Sequence, residues 1–371
     1  MTPKTETELA AAIAAATGPL HITGGGTRPI GNPVRGTTLS TAKLNGIILY
    51  EPGALTMVVQ AGTPVADIEK ALAKENQRLA FEPMDHRPLL GTKGTPTIGG
   101  IVAANVSGPR RVAVGACRDH MLGVRFVDGR GTIIKNGGRV MKNVTGYDLV
   151  KLLSGSYGTL GVLSEVSLKV LPRPDCSATI TTAIDDDSRA VAAMSAALGS
   201  PFEVTGASHD PATGQTHLRI EGFAGSVAYR SDKLSALMAP FGIVRVTDNT
   251  QDSEAIWVAI RDVTAFADQQ GDVWRLSLKP SDAHGVVAGL SKMGALYDWG
   301  GGLVWVLTTA GHNLRAELGD ASGHATLIRA SAETRAALSA FHPENATVTA
   351  LSAGLRAKFD PRAILNSGVM G

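Results

Sequence analysis

The chain has 371 residues, of which 44% are hydrophobic and 18% are charged, a composition typical of a folded globular protein and not of a disordered one. Its length exceeds what one hydrophobic core usually covers, so two domains are expected. A formal charge of +2, the absence of a basic run and an aromatic content of only 5% argue against a nucleic-acid-binding protein.

Cysteine and histidine usage bears on metal and redox centres. The two cysteines, Cys117 and Cys176, lie far apart in sequence, whereas iron–sulfur and structural zinc sites usually take about four ligands in closely spaced groups. The histidines show no HxH or HxxxH spacing. The sequence therefore predicts no metal ion or cluster held by this chain alone.

The first residues bear on location. The acids Glu6 and Glu8 precede the first apolar stretch and basic residues are nearly absent there, which is unlike a signal peptide. Leu9 and Ile13 lie one turn apart and predict the buried face of an opening amphipathic helix. No later apolar run reaches membrane-spanning length. We therefore expect a soluble, cytoplasmic protein that reaches the inner membrane, if at all, peripherally through a complex.

Short β-type runs separated by turn signals fill the first 175 residues. Thr63 and Pro64 predict the N-cap and the first position of a helix that continues to about Gln77. The stretch Leu171-Pro172-Arg173-Pro174 is typical of a domain boundary. The strands predicted in this part are residues 21–23, 46–50, 56–60, 122–127, 131–135 and 160–170.

Beyond this boundary, segments rich in alanine and leucine predict helices over residues 188–199 and 229–241. Strands are predicted at 217–220, 273–278 and 303–308. This alternation favours an antiparallel sheet with helices on one face, the α+β pattern. From about Ala340 the chain becomes polar. We therefore expect three parts, which are residues 1–174, an α+β domain over 175–340 and a C-terminal segment over 341–371.

The first of three glycine-rich stretches is the run Gly24-Gly25-Gly26, followed by Thr27 and Arg28, directly after a predicted strand. Consecutive glycines adopt positive φ, and their successive N–H groups form a concave nest suited to a diphosphate. A dinucleotide-binding fingerprint would need glycine where Pro29 stands, and a P-loop would need a GK[ST] triplet, which does not follow. A tight turn without a ligand is the alternative for this run alone.

The other two stretches are also rich in glycine and small residues. In the second, Thr97 is placed as a helix N-cap before Gly99-Gly100, so unpaired N–H groups at the helix start would favour an anion or a polarised ring edge. Tight helix packing is the alternative there. In the third, glycines at 155, 158 and 161 stand between a helix and a strand and would expose backbone groups to an adenine edge. Three stretches in this order are a stronger signal than any one of them.

In this order the three stretches resemble the FAD-binding domain of the vanillyl-alcohol-oxidase, or PCMH-type, flavoprotein family, closely over residues 20–172 and again in the C-terminal tail. Shorter motifs at 107–111, 141–148 and 167–174 are similar to those of the glycolate oxidase E-subunit group. The resemblance implies an α+β fold with a PCMH-type FAD-binding domain of two α/β subdomains over 1–174. It also implies an α+β cap domain over 175–340 and a tail over 341–371 that returns to the FAD-binding domain.

The resemblance also implies residue roles, position by position. The first stretch matches the pyrophosphate loop of the family, and the second matches the segment along the diphosphate and flavin. The third matches the segment whose end lies near the adenine, and a tail asparagine matches one beside the flavin ring. The cofactor-binding residues implied in this way are Gly24, Gly25, Gly26, Thr27, Arg28, Thr97, Ile98, Gly99, Gly100, Ala104, Asn105, Gly108, Asp148, Gly158, Gly161, Val162 and Asn366.

Departures from the family pattern shape these expectations. Thr27 and Arg28 stand where members with covalent flavin often carry histidine, so non-covalent FAD is expected. Tyr157 replaces a frequent acid and Ser367 a frequent proline, and neither change should abolish binding. The second domain lacks the HxGDGNxH-type stretch of the catalytic D-type relatives. Turnover by this chain alone is therefore expected to be poor.

The sequence leaves the catalytic groups open. Hydride transfer from a hydroxy acid to flavin needs a base for the hydroxyl proton and a cation, preferably arginine, for the carboxylate. His86 and His120 lie near the flavin segments, although a structural role is commoner for such histidines. Residues 297–302 could line the cap side, with core packing as the alternative. The arginine candidates are Arg110, Arg111, Arg219 and Arg275.

Three functions follow from these observations. The favoured one is the FAD-binding subunit of a glycolate (2-hydroxy-acid) dehydrogenase complex, with a related FAD subunit and an iron–sulfur subunit as partners. The second is a self-sufficient FAD oxidoreductase for another small alcohol or hydroxy acid. The third is a structural subunit that has lost the cofactor, which the intact run Gly24–Gly26 argues against.

Overall fold

A computed structural model describes residues 1–139, 146–319 and 321–371. Residues 140–145, which carry most of the 141–148 motif, and Asp320 lie outside the described residues. Within these ranges no helix is both long enough and apolar enough to cross a membrane.

The N-terminal half is built on β-structure. Its strands are β1 (Leu20–Thr23), β2 (Thr37–Ser40), β3 (Ile47–Glu51), β4 (Thr56–Gln60), β5 (Gln77–Arg78), β6 (Met121–Val127), β7 (Ile133–Gly137), β8 (Val162–Lys169) and β9 (Leu171–Pro172). An antiparallel five-stranded sheet has the order β3-β4-β8-β6-β7, while β1 and β2 form a parallel pair and β5 pairs with β9. The strands predicted in this half are confirmed.

Helices cover this sheet and connect its strands. They are α1 (Glu6–Ala14), α2 (Val65–Ala73), α3 (Arg87–Leu90), α4 (Ile98–Ala103), α5 (Arg111–Val114) and α6 (Leu149–Leu153). Leu9 and Ile13 are fully buried in α1, which confirms the amphipathic opening helix. Thr5 caps α1 by accepting a hydrogen bond from the N–H of Glu8.

The prediction for α2 is wrong at both ends. Pro64 is the N-cap residue, and Thr63 uses its hydroxyl to accept the N–H of Gly46 and to donate to the carbonyl of Gln60. The helix ends at Ala73 because Asn76 adopts a left-handed conformation, with φ 50°. Gln77 then begins β5, where its amide is held by the hydroxyl of Tyr50 and the carbonyl of Pro52.

The C-terminal half contains one large antiparallel sheet. Its strands are β10 (Cys176–Ala183), β11 (Gly206–Asp210), β12 (Gln215–Gly222), β13 (Val244–Thr247), β14 (Asp272–Leu278), β15 (Gly294–Asp298), β16 (Leu303–Thr308) and β17 (Gly323–Arg329). Their order is β13-β10-β12-β11-β15-β16-β14-β17, and we call this the cap sheet. The predicted strands correspond to β12, β14 and β16.

The remaining helices are α7 (Asp187–Leu198), α8 (Ala224–Met238), α9 (Thr250–Arg261), α10 (Pro280–Ala288), α11 (Ala332–Ala337) and α12 (Ala346–Phe359). Buried side chains of α7, α8 and α10 share one apolar core with Ile180, Leu218 and Trp274 of the cap sheet. The opposite face, including Trp305, packs on the N-terminal half.

The two predicted helices, α7 and α8, lie on one face of the cap sheet as expected, whereas α9, which was not predicted, lies on the other face. Trp257 of α9 donates its indole N–H to the hydroxyl of Thr179, at 2.9 Å. Thr179 points away from its neighbour Ile180, which faces α8, because side chains alternate along a strand. Helix α9 therefore lies on the side of the N-terminal half.

The last residues return to the N-terminal half. Leu365 forms a parallel bridge with Leu20, and the guanidinium of Arg362 donates to the carbonyls of Ile13, Ala14, Ala16 and Gly129. Because these carbonyls end α1 and form the β6–β7 turn, Arg362 ties the tail to both. The division into residues 1–174, 175–340 and 341–371 remains our proposal for the domains.

Candidate functional site

A cavity of about 620 Å³ lies between the glycine-rich stretches, the end of β17 with α11, and the tail. This volume falls in the range usual for small-molecule and cofactor sites, about 300–1,000 Å³. Its wall brings together most of the residues that the sequence predicted as cofactor-binding. These are Gly24, Gly25, Gly26, Thr27, Arg28, Thr97, Gly99, Gly100, Ala104, Gly158, Gly161, Val162 and Asn366.

The first glycine loop packs tightly on the second stretch. A Cβ atom on Gly25 would overlap the carbonyl oxygen of Thr95, and one on Gly94 would overlap the carbonyl oxygen of Gly25. Gly24 is held in the same way against the hydroxyl of Thr97. These glycines are therefore needed for the approach of two loops to each other, in addition to any approach to a ligand.

The same loop also offers free hydrogen-bond donors. Within the described ranges, the backbone N–H groups of Gly25, Gly26 and Thr27 have no hydrogen-bond partner, and all three residues line the cavity. Gly26 has φ +70°, the left-handed conformation that turns successive N–H groups toward one point. Three neighbouring donors without a partner among the described residues fit an anion such as a diphosphate.

The second stretch forms α4, and Thr97 caps it as predicted by accepting from the N–H of Gly100. The predicted free N–H groups at this helix start are wrong. Those of Ile98 and Gly99 donate to the carbonyls of Thr63 and Ala61, at 3.0 and 2.7 Å. The contribution of α4 to the cavity is therefore a wall of small residues, and the anion donors lie in the first loop.

The third stretch closes the cavity beside α4. Tyr157, whose φ is +52°, donates its N–H to the carbonyl of Ala103, at 2.8 Å. Gly158 has φ +75°, and Gly161 could not carry a Cβ atom without overlapping the ring of Phe126. Glycine is thus required at both positions by backbone conformation or by packing.

Four predicted residues lie outside the cavity wall. Ile98 is fully buried in the core of the N-terminal half. Asn105 accepts the N–H of Arg118, and the carbonyl of Gly108 accepts the indole N–H of Trp299. Asp148 caps α6, and its side chain is 56% exposed. The geometry gives each of these residues a structural task instead.

Asn366 joins three parts of the site. Its Oδ1 atom accepts the N–H of Ile22 at 2.7 Å, and its Nδ2 atom donates to the carbonyl of Tyr157 at 2.8 Å. Its own N–H donates to the carbonyl of Leu20. The tail asparagine therefore fixes the strand before the first glycine loop against the turn of the third stretch.

We expect Asn366→Asp to weaken the site without removing its bulk. The carboxylate cannot donate to the carbonyl of Tyr157 and places a charge in a buried position, which should lower the free energy of unfolding by about 2–3 kcal/mol. Chemical denaturation and flavin content after gel filtration measure the effect. Ser367→Ala, at the next and exposed position, should match wild type in both. Equal flavin content and stability in Asn366→Asp would contradict this role.

The arginine candidates separate into two classes. Arg219 binds Glu82 with both terminal nitrogens, and Arg110 pairs with Glu221, so both are engaged in ion pairs. Arg111 and Arg275 instead lie over the ring of Trp299, at 4.7 and 5.2 Å from its centroid. Among the described residues, neither forms an ion pair or a side-chain hydrogen bond. Arg111 and Arg275 are therefore the two candidates left for an anionic ligand.

The two candidate histidines also differ. His120 points Nε2 at the carbonyl of Val114 and packs on Phe81, and neither it nor His86 belongs to the cavity wall. His86 places Nδ1 3.2 Å from the carbonyl of Met84, and no described residue bonds its Nε2. Burial, with Arg28 and Arg275 nearby, holds the pKa of His86 well below its usual range. His86 is therefore a neutral imidazole with an unbonded Nε2, and its lowered pKa makes it a weaker base than an ordinary histidine.

Several wall residues were not predicted from the sequence. His21, Thr41 and Ala61 come from the N-terminal half, and Ala332 and Arg335 come from α11. Arg335 donates a hydrogen bond to the carbonyl of Pro29 and so connects α11 to the first glycine loop. His21 stands in the strand directly before the first glycine stretch, whereas the other residues belong to no motif and reach the cavity through long-range packing.

The chain is similar to known flavoproteins in sequence. Residues 1–137 match the model of an FAD binding domain family. Over 356 residues the chain is 35% identical to glycolate oxidase subunit GlcE of Escherichia coli (strain K12), covering 95% of this chain and 92% of that protein. It is 34% identical over 145 residues to glycolate oxidase subunit GlcD of Bacillus subtilis (strain 168), covering 39% of this chain and 28% of that protein.

A solved structure of alkyldihydroxyacetonephosphate synthase superposes with a TM-score of 0.69 at 15% identity, covering 99% of this chain and 76% of that one. This likeness shows the PCMH-type FAD-binding fold. FAD is the cofactor, and the chain is an FAD-dependent oxidoreductase. The free N–H groups of the first loop and the small-residue wall fit a diphosphate-linked flavin. The chain belongs to the PCMH-type FAD-binding flavoproteins, in the group that contains glycolate oxidase subunit GlcE.

Proposed function

We propose that this chain is the FAD-binding subunit of a glycolate, or related 2-hydroxy-acid, dehydrogenase complex. The observation that carries the proposal is the 35% identity to a glycolate oxidase subunit over 95% of this chain and 92% of that subunit. The similarity of 39% of the chain to a second glycolate oxidase subunit supports a partner of related fold. An iron–sulfur subunit is the further partner that we propose as electron acceptor.

FAD supplies a two-electron acceptor for the hydride on the carbon that carries the hydroxyl. The protein has to bind the carboxylate and take the hydroxyl proton, which leaves a 2-oxo acid as the product. We assign the proton to Nε2 of His86, since Nδ1 donates toward the carbonyl of Met84. The carboxylate needs a cation, and Arg275 and Arg111 are the candidates without an acidic partner among the described residues.

The cofactor is tested first. The purified chain should be yellow, and acid precipitation should leave all of its FAD in the supernatant, because non-covalent binding is expected. His21 lies in the cavity wall, so flavin retained in the pellet would indicate a covalent bond to this or another side chain. A colourless protein that takes up no added FAD would contradict the proposed function.

Substrate and partner are tested next. Anaerobic glycolate or D-lactate should bleach the flavin of the isolated chain, while turnover with a dye should be poor until the partner subunits are co-expressed. Full glycolate–dye turnover by the isolated chain would favour a self-sufficient oxidoreductase. Bound FAD that neither acid reduces, alone or in the complex, would exclude substrate oxidation at this flavin.

A further inference from the structure

The cavity wall carries cationic side chains and no acid. Arg28 and Arg335 line the wall, and no aspartate or glutamate of the described residues does so. The diphosphate is the charged group of oxidised FAD, and the planar fork of an arginine side chain matches phosphate oxygens. A wall with arginines and without an acid therefore suits this anion.

The two arginines come from different halves of the chain. Arg28 follows the first glycine loop and lies against α4, since a Cβ atom on Gly100 would be 3.1 Å from its Nη2 atom. Arg335 belongs to α11, which follows the last strand of the cap sheet. Ala330 and Ala332 line the cavity beside it. The C-terminal half thus closes one side of the cavity and places a charged side chain there.

Hydrogen bonds fix the chain on both sides of α11 to the N-terminal half. Before α11, the guanidinium of Arg329 donates to the carbonyl of Leu89, at 3.2 Å. After it, the N–H of Ala340 donates to Oδ1 of Asn32, at 2.9 Å, and Asn32 itself lines the cavity. The backbone that carries Arg335 is therefore positioned in advance, which lowers the entropic cost of binding a ligand.

Arg335 has hydrogen-bond donors that the protein does not use. Its Nη1 atom donates to the carbonyl of Pro29, two residues after Thr27. Among the residues that the structure describes, its Nε and Nη2 atoms have no partner and its side chain forms no ion pair. The first glycine loop beside it offers the N–H groups of Gly25, Gly26 and Thr27 to the same cavity. Donors from both halves of the chain therefore face one space.

We propose that Arg335 is a cofactor-binding residue supplied by the C-terminal half, and that it binds the diphosphate of FAD together with the first glycine loop. The cofactor-binding residues implied by the family resemblance all lie in the N-terminal half or the tail, so this one is additional. One anion that accepts hydrogen bonds from both halves connects them. FAD therefore stabilises the docking of residues 329–340 on the first glycine loop, and this docking strengthens FAD binding equally.

Release of FAD from the loaded chain measures the contact. After dilution, flavin fluorescence should rise about 10- to 100-fold faster in Arg335→Met than in wild type, because hydrogen bonds to a charged oxygen are lost. Arg335→Lys restores the charge without the planar fork and should release FAD at an intermediate rate. Arg245→Met, at an exposed position of β13, should match wild type.

Thermal unfolding with and without FAD separates contact with the cofactor from a purely structural role. A residue that only fixes α11 through the carbonyl of Pro29 lowers the Tm of the loaded and the flavin-free chain by similar amounts. A residue that binds FAD instead reduces the rise in Tm that added FAD produces. We expect Arg335→Met to act mainly on this rise, and Arg335→Lys to recover part of it.

Hydrogen exchange tests the connection between the halves. FAD should slow the exchange of backbone amides 330–340 in wild type and should do so much less in Arg335→Met. Wild-type FAD release and a wild-type rise in Tm in Arg335→Met would overturn the assignment of Arg335. Exchange in this segment that does not respond to FAD in wild type would overturn the connection. A wild-type chain that takes up no FAD would instead refute the proposed function.

Discussion

Substitution of Gly25 by alanine is expected to abolish FAD retention. The added methyl group would overlap the carbonyl oxygen of Thr95, so the first glycine loop must move away from the second. Movement of this loop disperses the N–H groups of Gly25, Gly26 and Thr27. Because each hydrogen bond to a charged oxygen contributes about 1.5–3 kcal/mol, losing two of them raises the dissociation constant of FAD at least about 100-fold.

The measurement combines flavin content with stability, since overpacking also lowers the free energy of unfolding, by about 1–3 kcal/mol. Gly18→Ala is the matched control because nothing lies within 4 Å of its new Cβ atom, and it should keep full flavin content. Gly26→Ala separates backbone strain from steric overlap. Its new Cβ atom meets no atom within 4 Å, but alanine is strained at its φ of +70°. Normal flavin content in Gly25→Ala would remove this loop from the cofactor site.

The glycine stretches were predictable because each one is local. A run such as Gly24–Gly26 after a strand, or a threonine before Gly99-Gly100, signals a special backbone whatever the rest of the chain does. The reason for each glycine was not predictable in the same way. Gly24 and Gly25 accommodate another loop, and Gly161 accommodates Phe126, which only the folded chain brings together.

Helix α12 shows a different limit. Its span, Ala346–Phe359, was expected only as part of a polar C-terminal segment. Its large apolar residues do repeat at helical spacing, at positions 348, 351, 355 and 359, but none of them is buried. Capping carries a second signal, since Asn345 accepts the N–H of Val348 at the helix start. The cap-side residues of the site are harder still. Arg335 stands in an ordinary helix pattern and reaches the cavity wall through tertiary packing alone.

The contact between the two halves gives the second large effect. Arg219 of β12 donates to both carboxylate oxygens of Glu82, at 2.8 and 3.0 Å, and its guanidinium lies over the ring of Trp257. Glu221 beside it receives Arg78 and Arg110 from the N-terminal half. We expect Arg219→Ala to lower the free energy of unfolding by about 3–5 kcal/mol, because Glu82 is left as a charge in a largely buried site.

The pH dependence identifies the cause of this loss. Burial alone would raise the pKa of Glu82, but Arg219 and Arg110 outweigh it and hold the pKa below its usual value. In wild type Glu82 therefore adds stability above the unfolded pKa, which is lost as the pH falls through its folded pKa. Without Arg219 its pKa rises, so the ionised form is penalised. Urea denaturation should then show a larger deficit at pH 8 than at pH 5.

A double substitution decides whether a stranded charge or lost packing is responsible. Arg219→Met combined with Glu82→Leu removes both charges and fills similar volume, so it should recover much of the stability that Arg219→Ala loses. Lys279→Ala is the control for an exposed pair, because Lys279 and Asp282 lie 3.7 Å apart with side chains 69% and 47% exposed, and it should change stability by less than about 0.5 kcal/mol. If Arg219→Ala changes stability as little as Lys279→Ala, the ion pairs between the halves contribute specificity of docking and not stability.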